Sequence, residues 1–386
     1  MAVTVEPEPL EFGSVHSGLL DCIQVNLAVL ADHHYGAGAH LRLGAPLGFR
    51  AWEGTGGLPT VDPPLAEQLA VASDLLGLRV VRQRRMAREE MFRTLRTAGG
   101  VRFVVADSFQ LPWLPYHRTA HMEHSFLLAA GPDGWHVTDA YRSETAWGTA
   151  APGHWMLSEE ELAGIESAEV VELAPAGVRP ISALPPAQAV DQAAVAAYLD
   201  AYDACPDRAR AVEQLTAETW LLARARKLHA TYRALFARRA DETEAERQHL
   251  RAWDKVVEQT YLAHRRLSRG RAEPPGVVDR LRDVLTADRT VFGPAPTGPA
   301  AADGPAAAPP EDALRRRVAA VAAAVLGVDT AALLDGAPFD SFASFSSFRL
   351  IEIIERLESE LDREFDADQL VPENLRRVDD LCRIAR

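Results

Sequence analysis

At 386 residues the chain has material for two or three domains with real cores, and its 55 acidic against 41 basic residues leave a formal net charge of -14. That balance argues against nucleic-acid binding, which needs a basic face. No apolar run is long enough to span a membrane, and the start Met1-Ala2-Val3-Thr4-Val5-Glu6 has neither the basic opening nor the apolar core of a signal peptide, so a cytoplasmic protein is expected.

The first element expected is a helix over about Asp21 to Asp32, with Cys22 at its start. Strand-like runs follow at Val101 to Ala106, Ser125 to Ala130 and His136 to Thr138, the last two joined by the turn residues Pro132-Asp133-Gly134. This mixture predicts an α+β domain over 1–185, with an N-terminal helix packed on an antiparallel sheet. From 186 to 292 the sequence is that of long helices, with apolar stripes such as Tyr198, Leu199, Tyr202 and Trp253, Val256, Tyr261, and no chemistry is evident in it. An Ala, Pro and Gly tract over 293–311 reads as a linker. In the last segment, 312–386, apolar residues recur at helical spacing from Asp312 to Val325 and Gly327 stops the run. A second amphipathic helix carries Phe348, Ile351, Ile354 and Leu357 on one stripe beside Glu352, Glu355 and Glu358, with Ser346 or Ser347 where an N-cap is wanted. A short third helix is expected from Val378 to the end.

Three residues form a catalytic hypothesis. A helix N-terminus at Cys22 would lower the thiol's pKa. His124 enters an apolar strand and Asp139 ends the next strand of the same hairpin, so the carboxylate would orient the imidazole that activates the thiol. The spacing His117, His121, His124 lacks a fourth ligand, so no metal is expected. Asp107 is a supporting or alternative acid, and the Cys22 backbone N–H is the oxyanion donor of choice ahead of His16. Cys22, Cys205 and Cys382 are far apart and odd in number, so a disulfide framework is not expected.

The order Cys, His, Asp with the nucleophile on a leading helix is the papain-like solution. Asp21-Cys22-Ile23-Gln24, Gly44-Ala45-Pro46-Leu47-Gly48-Phe49-Arg50, Asp107-Ser108-Phe109-Gln110-Leu111-Pro112-Trp113, His124-Ser125-Phe126 and Val137-Thr138-Asp139 together resemble the BtrH family of papain-like acyltransferases. That resemblance implies transfer of an acyl group from a carrier thioester to an amine. The C-terminal segment resembles an acyl or peptidyl carrier domain: Ser347 stands eleven positions before Glu358, as the modified serine does before the Leu-Glu pair that closes the carrier helix. In place of the usual Asp before that serine stands Ser346, and an Asp-Ser-Phe occurs earlier, at Asp340-Ser341-Phe342, which leaves Ser341 as the alternative.

Together the resemblances imply an α+β papain-like domain, an all-α middle region and an all-α four-helix carrier domain. The function implied is acyl or aminoacyl transfer to an amine or hydroxyl acceptor, with Cys22, His124 and Asp139 catalytic and phosphopantetheine covalently attached at Ser347. The partners implied are a phosphopantetheinyl transferase and an adenylation or other acyl-loading enzyme. A cysteine hydrolase, thioesterase-like or peptidase-like, and a non-catalytic carrier-loading platform are the competing readings.

Overall fold

The computed structural model describes residues 10–145, 147–293, 311–342 and 375–385, and single positions between 345 and 361. The chain divides into two compact units, Met1–Pro296 and Thr297–Arg386. Among the described residues no helix is long and apolar enough to cross a membrane.

The larger unit is mixed α and β, with its sheet in the N-terminal half. Its strands are β1 (Pro46–Phe49), β2 (Trp52–Glu53), β3 (Pro59–Thr60), β4 (Leu78–Ala87), β5 (Arg102–Asp107), β6 (Glu123–Ala130), β7 (Trp135–Asp139), β8 (Ser143–Thr145), β9 (Gly148–Ala150), β10 (Gly153–Leu157), β11 (Ser167–Pro175) and β12 (Ala187–Val190). Six of them form an antiparallel sheet in the order β10-β7-β6-β5-β11-β4. The hairpin β6–β7 turns where the Pro132-Asp133-Gly134 signal lies, closed by the Gly131 N–H on Gly134 O at 2.8 Å. Three helices belong to this half: α1 (Gln24–Tyr35), α2 (Leu65–Leu76) and α3 (Arg88–Ala98). Every residue of α1 from Val25 to Asp32 is buried. A helix apolar on all sides belongs in the interior of a domain, not on its surface, and α1 packs on β4 and β6.

The second half supplies α4 (Gln192–Asp203), α5 (Arg208–Phe236), α6 (Glu244–Leu267) and α7 (Val277–Val291). Residues on both sides of position 185 share cores: Leu228 and Tyr232 of α5 join the cluster built on α1 and the sheet, while Phe49 and Leu58 join Tyr198, Tyr202, Trp253 and Leu281. Strand β12 pairs in parallel with β1, from Pro46↔Ala187 to Phe49↔Val190. At Gly44 the backbone comes so near α5 that a Cβ would lie 2.4 Å from the Leu228 carbonyl oxygen. No larger residue tolerates that approach. One member of the expected stripes, Tyr261, is exposed instead of buried, as is Leu235 of α5.

The smaller unit contains α8 (Glu311–Leu326), α9 (Thr330–Leu334) and α10 (Val378–Ile384). Gly327 ends α8 in the left-handed conformation, φ 68°, with its N–H on Ala323 O at 2.8 Å. Val318, Ala322, Leu333, Phe339, Ile353, Leu357 and Leu381 make its core. Ser347, the expected attachment residue, lies outside the described residues.

Candidate active site

The turn that carries Cys22 is built by Asp21. Its Oδ1 accepts the backbone N–H of Ile23 at 2.8 Å and of Gln24 at 2.7 Å, which caps the first free amides of α1 and leaves the Cys22 amide to other uses. The helix therefore begins at Gln24, two residues after the cysteine.

That displacement corrects one expectation. The Cys22 thiol is not lowered by the helix terminus: burial, with the carboxylates of Asp21, Asp62 and Asp139, pushes its pKa well above that of an ordinary thiol. Desolvation and nearby negative charge both penalise a thiolate, and together they outweigh the terminus. The thiol donates to the Glu123 carbonyl oxygen at 3.4 Å, on the strand residue just before His124.

His124 and Asp139 meet as the hairpin requires. The register of β6 and β7, from Ala130↔Trp135 to Leu127↔Thr138, continues to set Asp139 opposite Phe126, on the face that His124 also occupies. His124 Nε2 lies 2.7 Å from Asp139 Oδ2, and both side chains are almost wholly buried. Burial opposes charge on Asp139, but the adjacent imidazole and the donors from Tyr141 and Trp113 hold its carboxyl below the usual range. With Nε2 committed to the carboxylate, His124 Nδ1 is buried without a hydrogen-bond partner among the described residues. A buried imidazole nitrogen left unsatisfied is costly in a structural role and useful in a catalytic one.

Four further residues complete the arrangement. Asn26, one turn after Cys22, donates through Nδ2 to Ser125 O (2.8 Å) and Asp139 Oδ1 (3.2 Å) and accepts the Ala140 N–H at 3.1 Å. Trp113 Nε1 donates to Asp139 Oδ2 at 3.0 Å. The Ser125 hydroxyl donates to the Cys22 carbonyl at 2.6 Å, fastening the Cys22 turn to β6. From α5, Arg224 donates to the carbonyls of Ser17 (3.0 Å), Leu20 and Arg142 (2.9 Å), the first two on the segment that leads into Cys22. Helix α5 thus holds the Cys22 turn in place. Of these four, Asn26 had a signal in the sequence, as a lone amide in the apolar run Val25, Leu27, Ala28. Arg224 had none, because an arginine on a long helix is ordinary.

The alternative residues go elsewhere. Asp107 is paired with the exposed His121 at 2.6 Å, and Phe109 stacks on that ring at a centroid distance of 4.3 Å. His16 is engaged by the buried His40, whose Nε2 lies 2.9 Å from His16 Nδ1 and whose Nδ1 lies 2.9 Å from Asp32 Oδ1. No group of three or more His, Cys, Asp or Glu among the described residues is placed to hold a metal ion. Ser341 is exposed and its hydroxyl donates to Pro338 O at 2.6 Å.

No protein-family model matches the sequence, and no curated protein matches it.

Proposed function

We propose that the chain is a cysteine acyltransferase of papain-like architecture, in which Cys22 takes an acyl group from a thioester and passes it to an amine or hydroxyl acceptor. The observation that supports this most is the buried His124–Asp139 pair at 2.7 Å, with Nδ1 of the same imidazole unpartnered among the described residues and the Cys22 thiol on the neighbouring carbonyl of β6.

Because the resting thiol is protonated, His124 acts as a general base during attack and not as half of a standing ion pair. The thiol leaves Glu123 O and gives its proton to Nδ1 as the Cys22 sulfur bonds to the thioester carbonyl. The Cys22 backbone N–H, which Asp21 does not occupy, is the donor available to the developing oxyanion. Collapse breaks the original C–S bond, His124 protonates the departing thiol, and the acyl group remains on Cys22. The acceptor then attacks, its proton passes through His124 to the Cys22 sulfur, and the enzyme returns to its starting state. Asp139 keeps the imidazole in the tautomer that leaves Nδ1 free.

The smaller unit is proposed to be the carrier, with Ser347 holding phosphopantetheine. That group would present the acyl chain as a thioester once a phosphopantetheinyl transferase had attached it and an acyl-loading enzyme had charged it. Incubating the protein with coenzyme A and a promiscuous phosphopantetheinyl transferase tests the first half: peptide-mapped mass should show the increment on the Ser347 peptide. An increment on Ser341 moves the site, and none removes the carrier reading. For the second half, an acyl thioester should leave its acyl mass on Cys22, and Cys22→Ala should abolish both adduct and amide product. Free acid formed at the same rate with and without amine would make the enzyme a hydrolase.

A further inference from the structure

Two cavities flank the nucleophile turn, and they differ in chemistry. The larger, about 680 Å³, carries Asp107, Glu123, Glu166 and Glu169 along its lining, with Arg85 and Gln83 opposite. Leu65, Val105, Ala106 and Met122 also line it, but its carboxylates make it the more polar of the two and the poorer host for an apolar chain. The smaller, about 250 Å³, has Asp21 and Gln24, which bracket Cys22 and Ile23, in its wall, and Phe49, Trp52, Val61 and Leu221 as its apolar surface. Its three cations are already paired: Arg226 is bonded twice to Asp288, Arg224 to backbone carbonyls, and the largely exposed Arg50 to Glu67 at 3.3 Å. One polar group is not. Trp52 Nε1 is buried with no hydrogen-bond partner among the described residues.

We propose that this smaller cavity receives the acyl chain, and that it selects short, uncharged, largely apolar acyl groups carrying one oxygen that accepts from the Trp52 indole. The inference rests on Cys22 being the nucleophile. At ~30 Å³ for a water-sized group, the cavity holds roughly eight non-hydrogen atoms, which falls below the ~300–1,000 Å³ of pockets for larger ligands. A long fatty chain overfills that volume and has to run out into solvent. Apolar burial favours each added carbon until the space is full, and an oxygen placed near Trp52 removes the cost of its unsatisfied N–H.

The full-length protein would be treated with N-acetylcysteamine thioesters of butanoate, 3-hydroxybutanoate, hexanoate and decanoate, and the acyl adduct on Cys22 followed by peptide-mapped mass. Acylation is expected to rise by roughly fourfold per methylene from butanoyl to hexanoyl and to fall at least about tenfold for decanoyl, a loss of about 1.4 kcal/mol. The hydroxyl should accelerate acylation, and Trp52→Phe should erase that advantage. Gly48 also lines the cavity, and a Cβ there meets only Ala189 O, at 3.7 Å. Gly48→Val should therefore slow hexanoyl more than butanoyl, while Leu221→Ala should admit decanoyl. Equal rates for hexanoyl and decanoyl, or variants that leave the length profile unchanged, overturn the cavity assignment but not the nucleophile. A hydroxyl advantage that survives Trp52→Phe overturns the indole contact. No adduct on Cys22 with any thioester overturns the nucleophile and the cavity together.

Discussion

At the scale of single residues, the site turns on where protons rest. Cys22 sits in a setting of burial and carboxylates that favours the thiol, so its reactivity towards an electrophile should follow pH as a protonated thiol does and not as a preformed thiolate. Alkylation of Cys22 by iodoacetamide should be slow at neutral pH and keep climbing beyond the ~8.5 of a free cysteine, because the raised pKa keeps the thiolate fraction small until then. A rate that levels off near neutrality would show a standing thiolate–imidazolium pair and overturn this account. Asp139 tends the other way, held ionised by His124 and by the donors of Tyr141 and Trp113. The pair thus carries its negative charge on the carboxylate, and Nδ1 is left without a partner among the described residues.

At the scale of elements, α5, α6 and α7 meet at a buried node. Arg226 Nη2 and Nε bond to Asp288 Oδ2 at 2.6 and 2.9 Å, while His249 Nε2 and Trp253 Nε1 reach Oδ1 at 2.7 and 3.1 Å. Replacing one partner strands the other without water. Arg226→Ala should lower stability by about 3–5 kcal/mol, read from urea unfolding, whereas the double variant Arg226→Met, Asp288→Leu should recover much of that loss. A single variant as stable as the parent would show the node to be idle. Elements with local signals were legible in the sequence: α1, the β6–β7 hairpin with its turn, and α8 with Gly327 at its end. The hairpin also made His124 and Asp139 legible as a pair, since antiparallel neighbours fix side-chain faces. The edge strand β4 was not, because Arg79, Arg82, Arg84 and Arg85 give it little of the apolar alternation that marks a half-buried strand. Nor was the contact of Arg224 with the cysteine turn, which joins residues some two hundred positions apart and leaves no local pattern.

At the scale of the whole molecule, His229 links the two halves of the larger unit. It is buried on α5 with Nδ1 2.7 Å from Gly44 O, and burial pulls its pKa down to about 4. In the unfolded chain an imidazole takes a proton near ~6.5, while the folded one resists until about 4. Between those values the unfolded state binds more protons, so stability should fall as the pH drops through that window, by about 3 kcal/mol in all. Denaturant unfolding at graded pH would follow it, and His229→Gln should flatten that stretch; an unchanged slope would assign the acid sensitivity elsewhere. The arginine of α5 on the cysteine turn has a practical meaning for anyone cutting the gene. A stop placed after residue 185 would encode Cys22, His124 and Asp139 and still yield a protein lacking the clamp on the Cys22 turn, Leu221 and Leu222 of its smaller cavity, and Leu228 and Tyr232 of its core. A fragment that keeps the larger unit whole runs to Pro296, so the sheet and the helices that follow it can only be exchanged as one heritable block.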